Sequence, residues 1–265
     1  MKLIVNADDL GYSAHRDRGI FKCFNRGLIS AASLLVNGPC AVAAALQAGK
    51  EGLFLGLHLN FTEGYPVSEN VKSLVGKSGQ LKYKMTFWNS DFDILEICRE
   101  TIAQIELFKL MTGQYPTHVD GHQHVHIIPK IAEAIAPILK KYGVKSVRIP
   151  DEDVSGSNWL PRERQERYVR RYVTAINARL IYKKSGITAP ECFRGLCLSG
   201  ELMTAERLAA ALEGTYGTVE LMVHPGFVGY VQHPLFNDDF DISEDRENEL
   251  QALEYFKSLT LSDWS

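Results

Sequence analysis

The segment Thr117-His118-Val119-Asp120-Gly121-His122-Gln123-His124-Val125-His126 holds four of the chain's eight histidines. Asp120, His122, His124 and His126 recur at intervals of two. On an extended strand, side chains at i, i+2 and i+4 share a face. Such a segment can aim three imidazoles and a carboxylate at one point. That donor set suits a borderline cation such as zinc, or a harder one helped by carboxylates. Histidines at strand ends also serve simply as hydrogen-bonded polar residues, but two further segments argue for a site. Asp8-Asp9 ends the first apolar run and His58 the third. Alone, an Asp-Asp pair reads equally well as a helix cap, and a lone histidine as a core residue. Their combination with residues 118–126 favours chemistry.

A metal held by Asp9, His58 and His122 keeps coordination positions open, the mark of a catalytic centre. Asp8 is then free to accept a proton. A cation there lowers the pKa of a bound water and polarises a carbonyl, which suits amide or ester hydrolysis. Breaking a C–N bond also needs an acid for the departing amine, and His224 is the candidate. Arg148 is placed to pair with Asp8 and keep it ionised; its ordinary reading is an ion pair with another carboxylate. His124 and His126 are open between fourth ligand, support and substrate contact. His15, His118 and His233 carry no role.

The elements that position these residues alternate along the chain. Apolar, β-rich runs fall at Lys2–Ala7, Ala31–Val36, Phe54–Leu59, Thr117–His122, Ser146–Ile149, Cys192–Leu196 and Val219–His224. Helical patterns occupy 14–26, 41–48, 93–111, 127–142, 161–184 and 204–212, with a last helix near 242–256. Seven βα-type repeats imply a parallel sheet buried on both faces. A TIM-barrel-like α/β barrel is the favoured architecture, and an open doubly wound sheet the alternative. In both, the site lies at the carboxyl ends of strands. Five of the seven runs end in polar groups suited to it: Asp8-Asp9, His58, Asp120 to His122, Arg148 and His224.

At 265 residues, 45% hydrophobic and 23% charged, the chain fits one large domain over 1–265. Residues 61–90 are too long for a bare connection and read as an insertion or cap. Their aromatics Tyr65, Tyr83, Phe87 and Trp88 suit stacking on sugar rings, the core of a cap or a dimer interface equally. A net charge of −3 offers no electrostatic reason for a nucleic acid or anionic membrane partner. Arg162, Arg164, Arg167, Arg170 and Arg171 read as the solvated side of a helix. Five cysteines, without a C-x-x-C pair, read as free thiols in a reducing compartment. No apolar run approaches the ~18–20 residues that span a bilayer, so a cytoplasmic location is expected.

Val5-Asn6-Ala7-Asp8-Asp9-Leu10-Gly11, Gly56-Leu57-His58, Asp120 to His126 and His224-Pro225-Gly226 together resemble the YdjC family of carbohydrate deacetylases, which includes chitooligosaccharide deacetylases. Ser33 to Gly38, Thr117-His118, Gly195 to Ser199 and Glu220-Leu221-Met222 extend the likeness, in the pattern of animal YdjC-like members. It runs from residue 2 to about 230. Leu10 and Gln123 stand where bacterial members commonly have Phe and His. The resemblance implies a barrel of the glycoside hydrolase/deacetylase type, removal of acetyl groups from N-acetylated amino sugars, magnesium as the divalent metal, and a homodimer. It assigns Asp9, His58 and His122 to the metal and Asp8 to the base. Zinc is the alternative metal on grounds of ligand softness. The rival functions are a metal hydrolase of another bond, such as a phosphoester, and a metal-containing sugar- or partner-binding protein without turnover.

Overall fold

Among the described residues, every strand of the main sheet is parallel to its neighbours. In chain order the elements are β1 (Lys2–Leu10), α1 (Ala14–Asn25), β2 (Ala31–Leu34), α2 (Ala41–Glu51), β3 (Phe54–Leu59), α3 (Ile94–Thr112), β4 (His118–Gly121), α4 (Pro129–Lys141), β5 (Ser146–Val147), α5 (Arg162–Lys184), β6 (Cys192–Arg194), α6 (Ala205–Leu212), β7 (Thr218–Val223), α7 (Asp239–Ile242) and α8 (Asp245–Glu254). The computed structural model describes residues 1–82, 87–88, 91–154, 157, 159–229, 233–236, 239–255, 261–262 and 264. No helix among them is long and apolar enough to cross a membrane.

The sheet order is β5-β4-β3-β2-β1-β7-β6. Strands buried on both faces carry continuous apolar runs, as in Leu3-Ile4-Val5 and Leu221-Met222-Val223. Three helices start where a side chain satisfies a free N–H: Ser13 accepts from Arg16, Asp93 from Leu95 and Thr204 from Arg207. The sheet curls until its edges meet at one rim, where Thr188, just before β6, bridges Ser146 of β5. The expected seven-stranded barrel-like architecture is therefore present, rather than a flat doubly wound sheet.

Inside the curl the residues form layers, because alternate side chains of each strand point inward. The floor, at the amino ends of the strands, is apolar: Ile4, Ala31 and Phe54 pack with Trp264. Above it His118 lies face to face with Trp264, ring centroids 4.4 Å apart, and stacks on Phe54 at 5.8 Å. Gly56 makes this possible, since a Cβ there would sit 2.0 Å from the His118 ring. The next layer is ionic, centred on Arg148, and the mouth follows.

One expectation needs correction here, and one of the readings left open for the aromatics of 61–90 is met. Strand β4 ends at Gly121, and His122–Ile127 wind into a 3₁₀ segment in which Gln123 (φ 54°) and His124 (φ 58°) are left-handed. The period-two argument for one shared face therefore fails beyond His122. His126 instead tucks under Gly121, where a Cβ would lie 2.6 Å from its Nδ1, and its Nε2 bonds the Arg148 carbonyl at 2.8 Å. Among the described aromatics of 61–90, Phe87 is fully buried between Phe61 and Phe92, so it is core. Tyr65 is exposed, Trp88 is half-buried, and Tyr83 lies outside the described residues. All five cysteines are free, three buried and two half-buried.

Candidate active site

Asp8 and Asp9 reach one cavity because β1 bulges. Ala7 pairs with Ala32 and Leu10 with Leu34, so β1 carries one extra residue across this step. Asp9 sits at φ 65°, a left-handed conformation that costs a non-glycine residue about 1–3 kcal/mol and is commonly found at functional sites. Its Oδ1 lies 2.7 Å from Nδ1 of His122 and 3.1 Å from Nε2 of His58. Ligand atoms of these three buried residues all fall within 4.8 Å of one another.

The donor chemistry fits a divalent cation. Each histidine turns one nitrogen inward and binds a carboxylate with the other: His58 Nδ1 to Asp120 Oδ1 at 2.7 Å, and His122 Nε2 to Glu63 Oε2 at 2.6 Å. A carboxylate on the outer nitrogen keeps the proton there and leaves a lone pair facing the point where the three residues converge. Tyr12 donates to the other oxygen of Glu63 at 3.0 Å, and Arg16 pairs with Asp9 Oδ2 at 2.6 Å. Burial disfavours charge on both histidines, yet Asp120, Asp9 and Asp8 together outweigh it at His58, raising the pKa to about 10. Asp9, with Glu63, raises His122 to about 9. Burial likewise opposes ionisation of Asp9, but Arg16 and His122 hold its pKa well below the usual carboxylate range. A bound cation would displace the inward protons and take over this stabilisation.

Beneath the three residues, Arg148 is wholly buried among carboxylates. Its Nη1 and Nη2 grip both oxygens of Asp8 at 2.5 and 2.6 Å, Nη2 also lies 3.0 Å from Asp120, and Nε bonds Glu220 at 2.6 Å. Burial moves Glu220 up to about 8 against the pull of Arg148. Asn6 donates to Asp8 Oδ1 at 3.0 Å, leaving Oδ2 the less encumbered oxygen; His224 Nε2 stands 3.9 Å from it. Glu249 of α8 anchors His224 by accepting its backbone N–H at 2.5 Å, with Nδ1 of the ring 3.6 Å from Oε1.

Asp8, Asp9, His58, His122 and His224 border a cavity of about 330 Å³ at the carboxyl ends of the strands. The six residues picked out by sequence, Asp8, Asp9, His58, His122, Arg148 and His224, are thus brought together. His124 lines the cavity and His126 supports β5. Sequence reasoning missed Glu63, Arg16, Glu249 and Glu220. Only Glu220 left a signal, as a carboxylate inside the apolar run Val219–Val223 at the inward spacing of Met222 and His224. The arginine cluster of α5 is also corrected: Arg164, Arg167 and Arg171 line this cavity, so it is more than a solvated face.

A curled parallel α/β sheet with a histidine–carboxylate centre at its mouth is the class of protein that fold and geometry define. Known proteins narrow it further. The family model described as YdjC-like protein matches residues 2–258, and the chain belongs to that family. A carbohydrate deacetylase of Xenopus laevis is 35% identical over 283 residues, covering 96% of this chain and 91% of the relative. The human protein of the same description is 36% identical over 280 residues, covering 96% and 84%. A structure from Enterococcus faecalis V583, described as a candidate cellobiose-phosphate cleavage protein, shares the fold with a TM-score of 0.70 at 21% identity, covering 99% of this chain and 97% of that one.

Proposed function

We propose that this chain is a divalent-metal-dependent deacetylase of N-acetylated amino sugars. The observation that carries the reading is the convergence, in one cavity, of the Asp9–His58–His122 donor set with a second carboxylate, Asp8, and a histidine, His224. The activity described for the vertebrate relatives supports the same reading.

A cation held by Asp9, His58 and His122 supplies Lewis-acid polarisation of the acetyl carbonyl. Asp8 takes a proton at Oδ2 from the water that attacks the carbonyl carbon. Arg148 and Asn6 keep that carboxylate from rotating. As the C–N bond breaks, His224 delivers a proton from Nε2 to the departing amine, so acetate and a free amino sugar leave. Glu249 fixes the position of His224, while Asp120 and Glu63 orient the two metal-facing imidazoles. The segment 61–90 serves as a cap of this single domain and contributes Glu63.

The imidazole-rich donor set suits zinc, whereas the family resemblance implies magnesium. Chelator-treated protein reloaded with either metal, and given N-acetylglucosamine oligomers, tests both points through acetate release. Acetate with one metal and none after chelation is the expected result. Stoichiometric metal binding without acetate from any N-acetylated sugar would point instead to a binding protein on a hydrolase frame.

A further inference from the structure

A guanidinium carries five N–H donors but a single positive charge, and in the ionic layer of the barrel three carboxyl groups close on that of Arg148. Asp8 takes both Nη groups and a further bond from Asn6. Asp120 holds Nη2 at 3.0 Å, together with Ser33 Oγ at 2.7 Å and His58 Nδ1 at 2.7 Å. Glu220 has Nε alone, at 2.6 Å through Oε1. Its Oε2 is sealed from water and meets no hydrogen-bond partner among the described residues. Its neighbours in register across the sheet are apolar, Ile4 of β1 and Phe193 of β6. The charged groups that face it are Arg148 just beyond β5, Asp120 of β4 and Asp8 of β1.

One positive charge does not keep three buried carboxyls ionised, since like charges at this range raise one another's affinity for a proton. The proton settles where an anion is served worst, and that is Glu220. Burial, reinforced by Asp120 and Asp8, lifts it to about 8 against the pull of Arg148. Burial opposes ionisation of Asp120 as well, but Arg148 and His58 hold it far below the usual carboxylate range. A neutral carboxyl still accepts the Nε–H through its carbonyl oxygen. It therefore fixes the plane of the guanidinium, and a planar fork fixed at Nε presents its two Nη groups in one direction. That direction is Asp8.

We infer that Glu220 is a positioning residue: as a neutral carboxyl it holds Arg148 at Nε and aims both Nη groups at Asp8, while leaving the guanidinium charge to Asp8. Glu220 does not line the cavity, so its effect passes through Arg148. The role of Asp8 as base rests on the deacetylase reading above, whereas the hold of Glu220 on Arg148 is measurable without turnover.

The test uses the full-length protein, loaded with zinc or magnesium in parallel, as wild type, Glu220→Gln and Glu220→Leu. Gln keeps an acceptor for Nε without a charge; Leu fills similar space and removes the acceptor. Infrared difference spectra of wild type minus Glu220→Gln at pH 7 are expected to show the carbonyl band of a neutral carboxyl, and to lose it as the pH rises through about 8. The Nε–H of Arg148, shielded from water, should exchange slowly in ¹⁵N-resolved proton spectra of wild type and Glu220→Gln, and fast in Glu220→Leu. With N-acetylglucosamine oligomers, Glu220→Leu should lose about 10- to 100-fold in kcat with KM and metal stoichiometry unchanged, and Glu220→Gln should recover most of that loss. Below pH ~8 the kcat profiles of wild type and Glu220→Gln run together; above it they part, since only wild type then sets a further anion against Arg148. A wild type with no such band, or a Glu220→Gln as impaired as Glu220→Leu, would make Glu220 an anion and overturn the assignment. So would a Glu220→Leu with wild-type kcat and slow exchange. Should Glu220→Leu fail to fold, the infrared band and Glu220→Gln still decide. Metal uptake, the band and slow exchange without acetate from any sugar would remove the deacetylase reading and leave the hold on Arg148 in place.

Discussion

His118 and His122 stand four residues apart, both buried, one at the floor of the barrel and one at its mouth, and they titrate in opposite directions. Burial pushes His118 down to about 3, because Asp120 cannot offset it while Arg148 and His58 add to it. Burial acts on His122 too, yet Asp9 and Glu63 carry it up to about 9. The floor histidine stacks on Phe54 and on Trp264, with no hydrogen-bond partner for either ring nitrogen among the described residues. The mouth histidine has a carboxylate on each nitrogen. Company, rather than burial or residue type, separates a site histidine from a core histidine.

The largest test of that contrast removes the mouth imidazole. His122→Ala takes away one of three converging donors, and metal affinity is expected to fall by well over the ~10–100-fold typical of outer partners. Metal content after gel filtration, measured beside acetate release, checks this. His118→Phe should keep its metal in the same assay; loss in both variants alike would erase the distinction. Next in size is Asp8→Asn, which leaves the donor set whole but removes the proposed proton acceptor. A fall in kcat of about 10²–10⁴-fold with metal stoichiometry retained is expected. Activity close to wild type would move the base elsewhere. Glu63→Gln sharpens the comparison from the outside, since it replaces a carboxylate on His122 with a neutral amide. Metal affinity should weaken by about 10–100-fold, read by competition with a chelator; an unchanged affinity would make Glu63 a structural contact only.

Much of this arrangement was legible in the chain because it follows strand period and strand ends. Phe54–Leu59 was read with its observed limits, as a short buried run bounded by turn residues. Asp8, His58, Arg148 and His224 were marked because each follows an apolar run, and runs of a parallel sheet end at the site. Other features leave no such mark. Nothing in Gln123 or His124 announces a left-handed backbone, so the His-rich segment looked extended throughout. Glu63 lies in a segment with no period, and Glu249 in a helix rich in acidic residues, so neither stands out from its neighbours. The Asp9 bulge was visible only as the demand that two adjacent carboxylates reach one cavity; how the backbone meets that demand is a matter of pairing across strands. Arg167 and Arg171 were indistinguishable from Arg162 until the helix had a cavity beside it.

The smallest effect belongs to the floor, and its sign discriminates best. His118 has a folded-state pKa of about 3, below the ~6.5 of an unfolded histidine. Between those values the unfolded chain binds a proton that the folded one refuses. Its contribution to stability is therefore whole above pH ~6.5 and drains as the pH falls toward 3, by about 1.4 kcal/mol per pH unit. Phenylalanine can stack on the same two aromatic rings without titrating. His118→Phe should accordingly match or exceed wild type at pH 7, where it also removes two unpartnered ring nitrogens. Its stability should decline less steeply in acid, by one proton's worth of slope. Urea unfolding at pH 7, 6, 5 and 4 measures both quantities. A variant whose acid limb runs parallel to that of wild type would mean that His118 finds a proton in the folded state, and with it that the floor of the barrel is not the dry counterpart of its mouth.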